Sequence, residues 1–112
     1  TFINMKYIIT ENKLDGVIFN YLDNKNFIIK ETPYDYYFLE NENDEFLQIR
    51  VKKSDMECYI FYILTKEIKS LFSINQSKSK DILTRYVENT LNIKVSYTYM
   101  DGSLNILMLK KV

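Results

Sequence analysis

The chain has 112 residues, fifteen basic and fifteen acidic side chains, and a net charge of zero. That length fits one domain, 1–112, with no room for a second core. A hydrophobic fraction of 46% excludes wholesale disorder, and the neutral balance argues against a dedicated polyanion binder. With no His, no Trp, one Cys and two Gly, the chain lacks the means for histidine general-base catalysis, His/Cys metal centres, disulfide frameworks and glycine-rich phosphate loops. Ile, Lys, Asn, Tyr and Phe make up about half of the residues and Ala is absent. The ten tyrosines therefore read first as AT-rich codon usage rather than as a tyrosine-built binding surface.

In chain order, Met5-Lys6-Tyr7-Ile8-Ile9 reads as a native start, which makes Thr1 to Asn4 an upstream extension. Lys6 to Thr10 is short and β-branched and predicts a first strand. Leu14, Val17, Ile18, Tyr21 and Leu22 form an apolar stripe for a helix from about Glu11 to Asp23, weakened inside by Gly16. Phe27 to Glu31 predicts a strand, broken at Thr32-Pro33. A three-stranded antiparallel meander follows. Closing its first hairpin at Asn41 to Asp44 sets Phe38 against Leu47, Tyr36 against Ile49 and Tyr34 against Val51. Closing the second at Lys53-Ser54 sets Val51 against Met56, Ile49 against Cys58 and Leu47 against Ile60, all on one apolar face. The opposite face then places Arg50 between Asp35 and Glu57, Gln48 between Tyr37 and Tyr59, and Phe46 between Leu39 and Phe61.

Thr65 caps a helix with Ile68, Leu71 and Phe72 on one stripe, ending near Ile74. Ser77 or Ser79 caps a longer helix to about Asn92, carrying Ile82, Leu83, Tyr86, Val87, Thr90 and Leu91. Asp101-Gly102 closes a terminal hairpin pairing Tyr99 with Leu104, Tyr97 with Ile106 and Val95 with Met108. The expected fold is α+β: a mainly antiparallel sheet with the meander and the C-terminal hairpin, packed by about three helices, in the order β-α-ββββ-α-α-ββ.

Few groups carry chemistry. Asp35, Arg50 and Glu57 form either a carboxylate pair that binds a cation or acts as acid and base, tuned by the arginine, or, as preferred here, a structural ion triad. Glu40, Glu42, Asp44 and Glu45 fail as a calcium loop, which needs Gly where Glu45 stands and Glu where Val51 stands. Cys58 is expected to be a buried, inert thiol. Lys66, Lys69, Lys78, Lys80 and Arg85 on the helix pair are the candidate nucleic-acid contacts, although Glu67, Asp81 and Glu88 dilute them and a solvated helix face is the preferred reading. Tyr37, Leu39, Phe46, Tyr59 and Phe61 share the second sheet face and form the candidate interaction surface. Either helices cover both faces, the preferred reading since three are available, or this patch is exposed for binding.

Several segments together resemble short uncharacterised proteins of large tailed phages infecting marine, AT-rich hosts. They are Met5-Lys6-Tyr7-Ile8-Ile9-Thr10-Glu11, Leu71-Phe72-Ser73-Ile74, Arg85-Tyr86-Val87-Glu88-Asn89-Thr90-Leu91 and Lys94-Val95, and the resemblance runs loosely from Met5 to Thr98. It implies a phage or mobile-element origin and assigns no residue a role. The leading expectation is a non-catalytic protein-interaction module, a virion accessory or host-factor binder whose partner is a host protein, a virion protein or a second copy. The alternative is a weak nucleic-acid binder using the helix-pair lysines, and a carboxylate enzyme at Asp35 and Glu57 stands third. No cofactor, metal or membrane partner is expected. The lone Cys58 fits a reducing compartment and no apolar run is long enough to cross a membrane, so a cytoplasmic location is expected, which the phage resemblance makes the host cytoplasm or the virion.

Overall fold

The computed structural model describes residues 2–40 and 47–100. The fold is α+β, as expected. Helix α1 (Phe2–Asn24) precedes strands β1 (Ile28–Glu31), β2 (Asp35–Leu39), β3 (Leu47–Lys52) and β4 (Glu57–Ile60); helices α2 (Tyr62–Phe72) and α3 (Gln76–Leu91) then lead to β5 (Tyr97–Met100). The strands form one sheet in the order β1-β2-β3-β4-β5. The first three pairings are antiparallel and β4–β5 is parallel.

The expected first strand at Lys6 to Thr10 is helical and belongs to α1. A β-branched residue costs only a few tenths of a kcal/mol in a helix, and no proline or glycine separates Met5 from Leu14, where the amphipathic stretch begins. Within that stretch Ile18 and Leu22 are fully buried, Leu14 and Tyr21 pack against the core, and Val17 is exposed. Helix α2 starts four residues earlier than a Thr65 cap suggests, and α3 two or four residues earlier than a Ser77 or Ser79 cap does. Phe61 is the N-cap of α2, and Thr65 lies inside it with its hydroxyl donating back to the Phe61 carbonyl at 3.3 Å. Asn75 caps α3 by accepting from the Lys78 amide at 2.8 Å. Both helices end on a left-handed residue, Ser73 (φ 52°) and Asn92 (φ 55°), positions that a chain with two glycines fills with small polar residues instead.

The meander exists, but its register lies two residues from the expected one. Tyr36 pairs with Val51 and Phe38 with Ile49, while Val51 pairs with Cys58 and Ile49 with Ile60. The second turn explains the slip on its side. It spans Lys53 to Met56 rather than Lys53-Ser54: Met56 takes φ 56° and its amide donates to the Lys52 carbonyl at 2.8 Å. The first hairpin slips as well, and a bulge between Phe38 and Leu39 sets Leu39 against Leu47. Leu47 therefore leaves the face of Ile49, where it was expected, and joins Leu39, Tyr37 and Phe61 on the other side. A slip of two preserves the face of the other paired meander residues, because side chains alternate with period two.

The larger core lies on the face of Phe38, Ile49, Val51, Cys58 and Ile60. Ile18 and Leu22 of α1, Leu64 and Ile68 of α2, and Ile82, Leu83, Tyr86 and Val87 of α3 all pack there. Each fully buried aliphatic or aromatic side chain contributes about 1.5–3 kcal/mol. Charged contacts tie the helices at the rim: Arg85 of α3 reaches Asp15 of α1 at 2.8 Å, and Lys25, just past α1, reaches Glu67 of α2 at 2.7 Å. The predicted Asp101-Gly102 hairpin and the acidic loop from Asn41 to Phe46 lie outside the described residues.

Candidate functional site

The second face of the sheet carries the polar chemistry. Register places Lys30, Tyr37, Arg50, Tyr59 and Tyr99 in one row across all five strands. A neighbouring row on the same face holds Asp35, Lys52, Glu57 and Tyr97. The expected triad is thereby corrected: Lys52, not Arg50, stands between Asp35 and Glu57. Arg50 sits between Tyr37 and Tyr59 and reaches Asp35 diagonally, Nε to Oδ1 at 3.1 Å, with its guanidinium 5.7 Å from the Tyr59 ring centroid.

Each carboxylate of this face is held by a tyrosine two residues along its own strand. The Tyr37 hydroxyl donates to Asp35 Oδ2 at 3.0 Å and the Tyr59 hydroxyl to Glu57 Oε1 at 3.0 Å. Tyr99 adds a second donor to Glu57, to Oε2 at 3.3 Å. Burial, then the hydrogen bond to its carboxylate, pushes the Tyr37 and Tyr59 hydroxyls above their ordinary pKa. The charge of Glu57 does the same to Tyr99. These hydroxyls stay protonated at neutral pH and act as fixed donors.

The candidate interaction surface divides in two. Tyr37, Leu39 and Phe61 are buried, at 4%, 1% and 2% exposure, and with Leu47 they form a second small core containing no helix residue. Among the described residues every helix side chain of the core packs on the other face, yet the centre of this face is buried rather than an open patch. Tyr59 is half-buried and packs against that small core. Phe46 lies outside the described residues. Exposure is concentrated at the β4–β5 end, where Tyr97 and Tyr99 are 50% and 41% exposed. There the Tyr59 and Tyr99 rings stack at 5.1 Å and 14°, and Tyr97 meets Tyr99 edge-on at 4.8 Å and 66°. Lys80 of α3 donates to the Tyr97 hydroxyl at 2.8 Å and lies 4.0 Å from its ring centroid. Sequence reasoning assigned Tyr97 and Tyr99 to an apolar hairpin face. The Tyr-x-Tyr spacing was visible, but their pairing with Tyr59 depends on a parallel strand that no turn signal announces.

The five helix-pair cations do not form one surface. Lys78 and Arg85 turn toward Asp15 of α1, at 3.4 and 2.8 Å, and Arg85 also binds Asp81 at 2.8 Å. Lys80 points the other way, to β5, while Lys66 lies 5.7 Å from the Tyr62 ring centroid and Lys69 donates to Gln76 at 3.0 Å. Cys58 is fully buried, and burial pushes its thiol up to about 12. Of the acidic loop, Glu40 pairs with Lys25 at 2.9 Å. Among the described residues no helix is long and apolar enough to cross a membrane, and no group of His, Cys, Asp or Glu is placed to hold a metal ion.

No protein-family model, no curated protein and no solved structure matches this chain.

Proposed function

We propose that this chain is a small non-catalytic protein-interaction module that binds through the tyrosine end of its sheet, Tyr59, Tyr97 and Tyr99, bordered by Glu57 and Lys80. The observation that carries the reading is the half-exposed, mutually stacked tyrosine cluster. Tyrosines held by neighbouring rings and by Glu57 offer large amphipathic area with little rotamer freedom left to lose, the property that enriches tyrosine at interface hot spots. Catalysis has less support. Glu57 is occupied by two tyrosine hydroxyls, Asp35 by Arg50 and Tyr37, and the Cys58 thiol is buried and far from ionising. The resemblance to phage-encoded proteins is the basis for taking the partner to be a host or virion protein met in the cytoplasm or the virion.

The test is affinity capture on the immobilised chain beside its Tyr97→Ser/Tyr99→Ser double variant, with mass-spectrometric quantification. The expected result is a partner retained by the parent and lost by the double variant, whose melting temperature stays within about 2 °C of the parent. Equal retention by both proteins overturns the reading.

A further inference from the structure

Two shallow depressions flank the start of α3. One, about 370 Å³, is lined by Tyr62, Lys66, Lys69, Gln76 and Met100 with their neighbours. The other, about 300 Å³, is lined by Ser77, Lys80, Thr84, Tyr97 and Thr98 with theirs. Gln76 and Ser77 are consecutive, and Thr98 and Met100 share β5. The depressions therefore make one strip from α2, across the start of α3, along β5.

Lys66, Lys69 and Lys80 line this strip, and among the described residues none has a carboxylate partner. Their contacts are neutral: the Tyr62 ring for Lys66, the Gln76 amide for Lys69, the Tyr97 hydroxyl and ring for Lys80. Neutral partners position an ammonium without cancelling its field, so three positive charges face the strip uncompensated. Asp81 also lines the second depression, but its charge is paired with Arg85 one turn further along α3, at 2.8 Å. The other helix-pair cations, Lys78 and Arg85, are paired with acids.

Resting on the reading that the Tyr97 end binds a protein, we infer that this strip takes an acidic segment of that partner, its Asp and Glu carboxylates meeting Lys66, Lys69 and Lys80. A nucleic acid fits less well. Base stacking needs open aromatic faces, whereas Tyr99 is stacked on Tyr59 and Tyr97 is covered by Lys80 and set edge-on to Tyr99. Three amines are also a sparse track for a phosphodiester backbone. Carboxylates on a peptide need only reach each amine in turn, and such pairing chiefly sets orientation and association rate.

The probe is a fluorescein-labelled decaglutamate peptide followed by anisotropy, beside a labelled thymidine oligonucleotide of equal length. The expected result is saturable peptide binding that weakens at least about tenfold between about 20 and about 200 mM salt. Binding is lost in Lys66→Glu/Lys69→Glu/Lys80→Glu, falls about threefold in Lys66→Glu alone, and is unchanged in Lys78→Gln. Absence of saturable binding at low salt, or equal binding by the triple variant, overturns the inference. Tighter binding of the oligonucleotide also overturns it and assigns the strip to nucleic acid. The capture experiment with Tyr97→Ser/Tyr99→Ser reads the tyrosine interface separately: a partner still lost by that variant, with decaglutamate ignored by the parent, removes the acidic segment and leaves the interface standing.

Discussion

The two faces of the sheet are built from the same strands by different rules. On the helix-covered face, Phe38, Ile49, Val51, Cys58 and Ile60 are interchangeable as partners, since any apolar residue opposite another serves burial. On the other face, Asp35, Tyr37, Arg50, Glu57 and Tyr59 work only in particular pairs. A two-residue change of register leaves the first face chemically the same and rewrites the second. Hydrophobic pattern thus specifies which way a side chain points more firmly than it specifies what stands beside it.

The largest expected effect breaks the contrast at the buried residues of each face. Phe38→Ala and Phe61→Ala should each cost about 3–5 kcal/mol in denaturant unfolding, since both side chains are buried and leave cavities. A Phe61→Ala protein as stable as the parent would show that the second face is not a core. Next in size, Arg50→Gln should cost about 2 kcal/mol, between an exposed and a fully buried pair, because it removes the cation from the Asp35 carboxylate and leaves it the Tyr37 hydroxyl as a donor. A change below about 0.5 kcal/mol would make the Asp35–Arg50 pair a solvated surface contact instead.

The smallest effect at ordinary pH concerns Cys58 on the covered face. Burial raises its folded pKa from 9.0 to about 12. Between those values the unfolded chain has lost the thiol proton and the folded chain has kept it, so this contribution to stability is intact below about pH 9 and declines as pH rises toward 12. Tyr86, also raised by burial, adds to the same alkaline loss. Stability of Cys58→Val should fall less steeply with pH over that window, by up to about 1.4 kcal/mol per pH unit. Native thiol labelling at neutral pH should be slow and should speed up in denaturant. Equal alkaline slopes for parent and variant, or fast native labelling, would place the thiol outside the core.

The contrast between the faces also explains how much was legible in the residues alone. The α+β class, the strands around Ile28–Glu31, Asp35–Leu39, Leu47–Lys52 and Glu57–Ile60, and the helix pair all follow from periodicity. The burial of Cys58 and the helix-packed face follow from the same alternation. Three features did not. Ile8-Ile9-Thr10 has strand propensity, but continuation of a long helix overrides it. Met56 in a left-handed turn position moves the second hairpin by two residues, and no Gly or Asn at that position marks it. The parallel return of β5 is a tertiary decision, and it brings Tyr97 and Tyr99 beside Tyr59. Of the five residues expected to form an interaction surface, Tyr37, Leu39 and Phe61 are buried, and the exposed tyrosines of the same sheet face stand on β5 instead.

The parallel pairing of β4 with β5 has a consequence for the order of assembly. Strands β1 to β4 are joined to their neighbours by a few residues of chain each, whereas β5 reaches β4 only after the chain has passed through both α2 and α3. A parallel pair requires such a crossover, and ordering a long loop precedes any gain from the contact that closes it. The meander is therefore the natural nucleus and β5 the late arrival, docking on a helix layer already in place. Tyr97 and Tyr99 travel on that last strand, so the tyrosine cluster comes into existence only when folding is otherwise finished, and a chain halted earlier carries the core without the surface.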